Sequence, residues 1–227
     1  MKKINIAVDG YAGTGKSTTA KKVAQKLDYL FIDSGAMYRA VSLYLLRNEI
    51  DFNTESADLL AALDDIYIDF VMKEGEAHPT VRLNGEEVEG EIRKPEISAI
   101  VSPVAVHKNV RRAMVSQQQR MGLEKGVVMD GRDIGTVVFP EAELKIFVSA
   151  DIKVRAKRRM QELQKRGIET SLDAVIANLK ERDYIDSTRE EGPLRKAVDA
   201  IALDTTHMTI NQQVEKVYQL AKDQIFS

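Results

Sequence analysis

The chain carries, at residues 10 to 17, the stretch Gly10-Tyr11-Ala12-Gly13-Thr14-Gly15-Lys16-Ser17. This stretch fits G-x-x-x-x-G-K-[ST], the pattern of a phosphate-binding loop. Gly10 and Gly15 let the backbone curl without a Cβ clash, so that N–H groups point at phosphate oxygens beside a helix N-terminus. Lys16 is expected to reach the β- and γ-phosphates, and the Ser17 hydroxyl to hold Mg²⁺.

The segments on either side of the loop have the patterns that such a loop requires. Residues 4 to 9 are β-prone, and residues 18 to 27 place Ala20, Val23, Ala24 and Leu27 on one helical face. The alternative is a Gly-rich turn followed by a chance Lys-Ser pair. The order of strand, loop and helix favours the phosphate-binding loop.

Composition narrows the class of protein. With 44% hydrophobic residues among 227, the chain can bury a normal core. A net charge of −2 argues against nucleic-acid binding through bulk charge but leaves a local basic groove open. The absence of cysteine excludes disulfides, thiolate metal sites and a cysteine nucleophile, and the three histidines lie too far apart in sequence to suggest a metal site.

The sequence has no pattern that suggests a membrane protein or an exported one. No apolar run approaches the ~20 residues needed to cross a bilayer. Asp9 interrupts the first apolar stretch too early for a signal peptide. We therefore expect a cytoplasmic protein without a membrane partner and without a nucleic-acid partner. We also expect a monomer, because no coiled coil or dimer seam is evident.

Short apolar runs alternate with helical patterns along the chain. The runs predict five buried parallel strands, at residues 4–8, 29–32, 127–129, 144–148 and 200–203. Ser171 and a Thr209/Gln212 capping box mark the starts of two helices. Strands that alternate with helices predict an α/β sheet covered on both faces.

One region departs from this alternation. Residues 66 to 71 alternate between polar and apolar, and residues 81 to 88 read as a hairpin with an Asn-Gly turn. Residues of about 60 to 92 are therefore predicted to form a small antiparallel β insert within the α/β core.

Polar residues follow two of the predicted strands. Ser34 is expected to cap the helix after residues 29 to 32, with Arg39 about one turn into it; plain capping with a solvated arginine is the alternative. Asp130, Arg132 and Asp133 end the strand that starts at residue 127, where ligands of α/β sheets bind. Asp130 is placed to order Mg²⁺, although an ordinary polar strand end is also possible.

Two charged segments follow. Residues 151 to 159 begin a basic helix, for which a solvated charged face is the favoured interpretation when the segment is taken alone. Arg182, Asp186 and Arg189 are spaced to share one helix face, either converging on a ligand or forming an exposed ion-pair ladder. Arginines spread over several segments suit phosphate groups, so together with the loop they indicate a phosphoryl transferase with an anionic acceptor. The chain lacks the Asn-Lys-x-Asp run of guanine recognition.

Four blocks of the sequence resemble the bacterial cytidylate kinase family, and the resemblance covers essentially the whole chain. They are residues 33–39, residues 131–140, residues 182–189 and residues 203–206. The resemblance implies the nucleoside monophosphate kinase fold, with a five-stranded parallel sheet, helices on both faces and the antiparallel insert. It also implies one kinase chain with its core at residues 1–33, 93–150 and 167–227, a monophosphate-binding region at 34–92 and a lid at about 151–166.

The same resemblance implies that ATP with Mg²⁺ phosphorylates CMP or dCMP, and it assigns residues to each partner. ATP would contact Gly10, Tyr11, Ala12, Gly13, Thr14, Gly15, Lys16, Ser17, Thr18, Arg155 and Arg159, and Mg²⁺ would contact Ser17 and Asp130. The acceptor would contact Ser34, Arg39, Ser102, Arg111, Arg132, Asp133, Arg182, Asp186 and Arg189. Within that set Ser102, Arg111 and Asp133 match the cytosine contacts. The predicted catalytic residues are Lys16, Arg132, Arg182 and Arg189.

Other functions remain open on the residues alone. The acceptor could be another small molecule such as UMP, AMP or shikimate, or the chain could be a nucleotide-driven switch or a nucleic-acid-binding ATPase. Tyr11 stands where the family commonly has proline. We expect it to change the stiffness of the loop and not its chemistry, because tyrosine keeps the N–H that proline lacks.

Overall fold

A computed structural model describes residues 2–54, 56–73, 76, 78–165 and 167–226. Its strands are β1 Asn5–Gly10, β2 Leu30–Asp33, β3 Ile68–Val71, β4 Thr80–Leu83, β5 Glu86–Glu87, β6 Val127–Gly131, β7 Leu144–Ser149 and β8 Ile201–Asp204. Its α-helices are α1 Lys16–Leu27, α2 Ser34–Arg47, α3 Ala57–Asp65, α4 Pro95–Ala105, α5 Lys108–Met121, α6 Ile152–Lys165, α7 Leu172–Thr188 and α8 Ile210–Phe226. A 3₁₀ turn covers Glu91–Arg93, and a single π-helical turn covers Ile134–Val138.

The main sheet contains the five strands that the apolar runs predict. Their order is β2-β6-β1-β7-β8, and all four pairings are parallel. The central strand β1 is buried along its whole length because helices cover both faces. Ala7 packs into one hydrophobic cluster while its neighbours Ile6 and Val8 pack into the other, as the alternation of side chains across a strand requires. The fold class predicted from the sequence is confirmed.

The antiparallel insert is also present, with the strand order β3-β4-β5. Asn84 and Gly85 both have positive φ, 50° and 85°, as a tight two-residue hairpin turn requires. Gln117 of α5 anchors the insert, because its amide accepts from the Ile68 N–H at 3.0 Å and donates to the Ile66 carbonyl at 2.7 Å. Residues 74, 75 and 77 of the predicted insert and Arg166 at the end of the predicted lid lie outside the described residues.

Helix starts agree with the sequence in two cases and differ in one. Ser171 caps α7 by accepting from the Ala174 N–H, and Thr209 and Gln212 form the predicted capping box. The prediction that Ser34 caps α2 is wrong. Asp33 is the capping residue, whereas Ser34 is the first helical residue and donates its hydroxyl to the Asp130 carbonyl at 2.7 Å.

Candidate active site

The predicted phosphate loop connects β1 to α1 at the carboxyl edge of the sheet. Gly10 has φ 149°, and a Cβ there would lie 2.1 Å from the Val148 carbonyl oxygen, so glycine is required. Gly15, with φ 89°, precedes the first residue of α1. Residues 12 to 18 line a cleft of about 660 Å³, here called the donor cleft, whereas Gly10 and Tyr11 do not line it.

Lys16 and Ser17 line this cleft and both approach Asp130, which does not line it. The Lys16 Nζ lies 3.8 Å from Asp130 Oδ2, and the Ser17 hydroxyl donates to the same oxygen. Burial, and next the charge of Arg132, lower the pKa of Lys16 to about 8. Burial, and next the charge of Asp33, raise the pKa of Asp130 to about 6. Within the described residues Asp130 Oδ1 has no hydrogen-bond partner. Buried charges this poorly compensated are typical of sites that bind an ionic ligand.

A second cleft of about 210 Å³, the acceptor cleft, adjoins the first. Six residues line both clefts: Lys16, Ser17, Asp33, Arg93, Arg132 and Arg182. All nine residues assigned to the acceptor by sequence line this cleft, although they come from α2, α4, α5, α7 and the segments after β6 and α7. The structure therefore places the predicted donor residues Lys16 and Ser17 and the predicted acceptor residues Arg132 and Arg182 at one boundary that both clefts share.

One end of the acceptor cleft is built around a buried ion pair. Arg111, 3% exposed, pairs with Asp133, 5% exposed. Arg189 Nη2 approaches the other oxygen of Asp133 at 3.4 Å. Burial raises the pKa of Asp133 against the effect of these arginines. Arg111 Nη1 has no hydrogen-bond partner within the described residues, so a buried donor remains beside a buried carboxylate.

The other end of the acceptor cleft is rich in arginine. Arg132 Nε donates to Asp186 Oδ2 at 2.6 Å, and Arg39 Nη1 donates to Ser98 Oγ at 2.9 Å. Burial, and next the charge of Arg93, lower the pKa of Arg39 to about 10. Burial, and next the charge of Arg132, also lower the pKa of Arg182. Burial and neighbouring positive charges thus disfavour the charged forms of Arg39 and Arg182, and an anion with several charges, such as a phosphate, would stabilise those forms.

The spacing of Arg182, Asp186 and Arg189 needs one correction. Helix α7 ends at Thr188, and Arg189 follows it in extended backbone, so Arg189 does not share the helix face. It still reaches the cleft, with its Nη1 3.7 Å from Asp186 Oδ1 and its Nε donating to the Gly192 carbonyl at 2.8 Å. The side chains of Arg189 and Asp186 are largely buried, unlike those of an exposed ion-pair ladder.

The two arginines of α6 that were assigned to ATP occupy different places. Arg159 lines the donor cleft. Arg155 lines neither cleft, because its guanidinium pairs with Asp183 at 2.8 Å and donates to the Ala12 carbonyl at 3.3 Å. Its charge also lies 5.1 Å from the centre of the Tyr11 ring. In this structure Arg155 therefore contacts the phosphate loop at Ala12 and Tyr11 and lies outside the donor cleft, and its assignment to ATP stays a prediction.

Sequence reasoning missed two arginines that matter here. Arg158 donates to the Thr14 carbonyl at 3.1 Å and to the Thr205 carbonyl at 2.7 Å, so it supports the phosphate loop as Arg155 does. Arg93, from the 3₁₀ turn after the insert, pairs with Asp33 at 3.0 Å and lines both clefts. A basic run and a lone arginine have no local pattern that reveals such contacts.

A phosphate loop at the carboxyl edge of a parallel sheet, open to a second cleft lined with arginines, defines a kinase of the P-loop class that transfers phosphate to a small anionic acceptor. Residues 6–223 match the family described as Cytidylate kinase. The chain belongs to the cytidylate kinase family.

Curated relatives are similar over nearly the whole chain. A protein named Cytidylate kinase from Parabacteroides distasonis is 54% identical over 216 residues, which is 94% of each chain. One of the same name from Cytophaga hutchinsonii is 51% identical over 221 residues, covering 97% of this chain and 94% of its own. The solved structure of an uncharacterized protein from Eubacterium ventriosum superposes with a TM-score of 0.53 at 12% identity, covering 98% of this chain and 99% of its own. At that identity the likeness concerns the fold alone.

Within the described part of the chain, no helix is both long enough and apolar enough to cross a membrane.

Proposed function

We propose that the protein transfers the γ-phosphoryl group of ATP to CMP or dCMP, forming CDP or dCDP. The observation that carries this proposal is that nine acceptor residues assigned from sequence line one cleft, and that this cleft meets the donor cleft at Lys16, Arg132 and Arg182. The names of relatives at 51–54% identity over nearly the full chain support the same acceptor.

The donor end fits a triphosphate with a hard divalent cation. The part-buried Ser17 hydroxyl and the buried Asp130 carboxylate could supply oxygen ligands beside a loop whose backbone suits phosphates. The Ser17 hydroxyl donates to Asp130 Oδ2, and Asp130 Oδ1 has no hydrogen-bond partner within the described residues. Mg²⁺ prefers one or two carboxylate or hydroxyl ligands completed by phosphate oxygens and water. Bound there, it would neutralise charge on the β- and γ-phosphates.

The chemistry requires positioning and charge stabilisation more than proton transfer. The attacking atom is an anionic phosphate oxygen of the monophosphate, so no strong general base is needed. Lys16, Arg132 and Arg182 line both clefts, where they would face the group in transit, and Arg189 adds a fourth cation. Preorganised cations at the place where charge is redistributed supply most of the rate enhancement in such reactions.

The buried end of the acceptor cleft has the polarity that cytosine requires. Asp133 can accept from the N4 amino group, while Arg111 and Ser102 can donate to N3 and O2. Uracil has an oxygen in place of the amino group and a hydrogen on N3, so it would place like against like at both positions. We therefore assign base recognition to Asp133 and Arg111.

A coupled assay with ATP and a panel of CMP, dCMP, UMP, AMP and shikimate tests the proposal. We expect fast ADP formation with CMP or dCMP and far slower reaction with the others. A better rate with UMP, AMP or shikimate would assign another acceptor. Slow hydrolysis that no acceptor stimulates would instead support a nucleotide-driven switch.

The division of the chain is part of the proposal. We assign residues 34–92 to monophosphate binding and about 151–166 to a lid, since Arg39 lies near the start of the first segment, Arg93 directly follows its end, and Arg159 lies in the second. The predicted monomeric state is checked by light scattering coupled to gel filtration, where a mass near 25.4 kDa is expected. The predicted cytoplasmic location is checked by fractionation of the source cells.

A further inference from the structure

Asp9 is a buried carboxylate that lines neither cleft. It is 4% exposed and immediately precedes Gly10 in β1. Its Oδ1 accepts from the Ile134 N–H and its Oδ2 from the Gly135 N–H, both at 2.7 Å. Burial raises the pKa of Asp9 to about 6, so at pH 7.5 the group is mainly a carboxylate that accepts at both oxygens.

The two amides lie at a point where the backbone has no regular partner. They begin the π-helical turn at residues 134 to 138, and the first N–H groups of any helical turn lack acceptors within that turn. Asp133, just before the turn, has φ −142° and ψ 25°, outside regular strand and helix. An external acceptor is therefore needed to hold this part of the chain, and Asp9 supplies it.

A second contact holds the other end of the same short segment. The Ser34 hydroxyl donates to the Asp130 carbonyl at 2.7 Å, and this contact is buried. Between the Asp130 carbonyl and the Ile134 amide lie only Gly131, Arg132 and Asp133. Arg132, which is assigned to the acceptor, and Asp133, which is assigned to its base, therefore lie in a span of backbone that is fixed at both ends.

Asp9 is itself held in place. It pairs with Gly131 on one side and Phe147 on the other, in the centre of the sheet. The next residue, Gly10, packs so closely on β7 that a Cβ would lie 2.1 Å from the Val148 carbonyl oxygen. The same short stretch of β1 therefore ends in the phosphate loop and clamps the acceptor segment.

We propose that Asp9 is a positioning residue that sets Arg132 and Asp133 against the phosphate loop, and thereby controls acceptor affinity and base selectivity without touching a substrate. Phosphoryl transfer needs the two reacting atoms about 3–3.5 Å apart and aligned, so a shift of the acceptor segment by a fraction of an ångström matters. The inference rests on the proposed function.

The main variant is Asp9→Asn, which preserves size but directs an amide N–H₂ at one of the two backbone donors. We expect KM for CMP to rise about 10-fold or more, and the CMP-to-UMP ratio of kcat/KM to fall about 10-fold, because misplaced reacting groups cost on the order of 10- to 100-fold. The KM for ATP should change less than about twofold, since the phosphate loop keeps its own contacts.

Asn5→Ala is the matched control. Asn5 lies on the same strand at its opposite end, is buried, and donates to the Gly122 carbonyl at 2.8 Å. Its loss should lower thermal stability as much as Asp9→Asn does, with the kinetic constants for CMP and UMP unchanged. A milder variant, Gly135→Ala, would place a Cβ 3.3 Å from Asp9 Oδ2 and 3.2 Å from the Lys145 side chain, and so would disturb the same clamp while keeping Asp9. It should raise KM for CMP a few-fold, and it provides the test if Asp9→Asn does not fold.

The outcomes separate this inference from the proposed function. If the parent protein shows no CMP preference, or Asp133→Ala retains it, the assignment of the base site fails. If Asp133→Ala loses the preference while Asp9→Asn and Gly135→Ala keep parental KM for CMP and parental selectivity, the positioning role of Asp9 is refuted. Equal kinetic losses in Asn5→Ala and Asp9→Asn would refute it as well, because they would reflect general loosening of the sheet.

Discussion

Replacing Arg111 by methionine is the sharpest test of how this site reads a base. Arg111 and Asp133 form a buried pair, and Arg111 Nη1 is a donor with no partner within the described residues. UMP would leave two groups of this pair mismatched, and each buried mismatch costs roughly 1–3 kcal/mol. The parent should therefore prefer CMP over UMP by about 2–6 kcal/mol, or roughly 30-fold to 10⁴-fold in kcat/KM.

The variant removes one of the two mismatches. Arg111→Met should lower the CMP-to-UMP ratio of kcat/KM roughly 5- to 150-fold, which corresponds to about 1–3 kcal/mol, mainly by slowing the reaction with CMP. Asp133→Ala should also lower the CMP-to-UMP ratio of kcat/KM, because it removes the acceptor for the N4 amino group of cytosine.

Stability has to be separated from recognition in this experiment. Breaking a buried ion pair by removing one partner costs on the order of 3–5 kcal/mol, and here the cost should lie near the lower bound because Arg189 remains 3.4 Å from Asp133. The ratio of kcat/KM for two substrates is independent of the fraction of active protein, so partial unfolding does not alter it. A double variant, Arg111→Met with Asp133→Leu, should recover much of the stability yet remain unselective.

The assay couples ADP formation to NADH oxidation at saturating ATP, with CMP and UMP varied in turn and thermal unfolding recorded for each variant. Equal fold-losses for both substrates in Arg111→Met and in Asp133→Ala would refute the reasoning. Those residues would then hold the phosphate or the fold, and the cytosine assignment would have to be withdrawn.

Three further predictions concern the donor site and closure. Lys16→Met should raise the activation free energy that corresponds to kcat/KM by about 3–4 kcal/mol or more, while the melting temperature stays nearly unchanged. Turnover within a few-fold of the parent would contradict the donor assignment. Because Lys16 has a pKa of about 8 in the free protein and a bound phosphate anion raises it, ATP binding at pH 8.5 should take up protons. Calorimetry in buffers of different ionisation enthalpy measures that uptake, and Lys16→Arg, which stays charged, should abolish it. Residues 60–92 and 151–166 should gain hydrogen-exchange protection with a bisubstrate analogue, since kinases exclude water by closing; identical exchange with and without the analogue would count against closure.

Features with local causes could be predicted from the sequence. The phosphate loop follows from glycines at set spacings, the strands from short apolar runs, and the hairpin from an Asn-Gly pair that adopts positive φ. The capping box at Thr209 and the cap at Ser171 likewise depend on residues within three positions of one another. The acceptor residues could be assigned because whole blocks resemble a known family.

What failed or was missed depends on partners that are distant in sequence. Asp33 caps α2 because the Ser34 hydroxyl has a carbonyl within reach at Asp130, 96 residues away. The Arg155 guanidinium lies outside the donor cleft because it pairs with Asp183 and donates to the Ala12 carbonyl. No local periodicity contains such information.

The sequence by itself determined the kind of elements, the loop that binds phosphate and the family of the chain. The tertiary structure decided the sheet order, in which β6 lies between β1 and β2 although about a hundred residues separate it from either. That order places Asp130 beside Ser17 and brings Asp9 to the amides of Ile134 and Gly135. The physical reason is that hydrogen bonding between parallel strands and the burial of both sheet faces are properties of the whole chain, so they determine contacts that no short segment encodes.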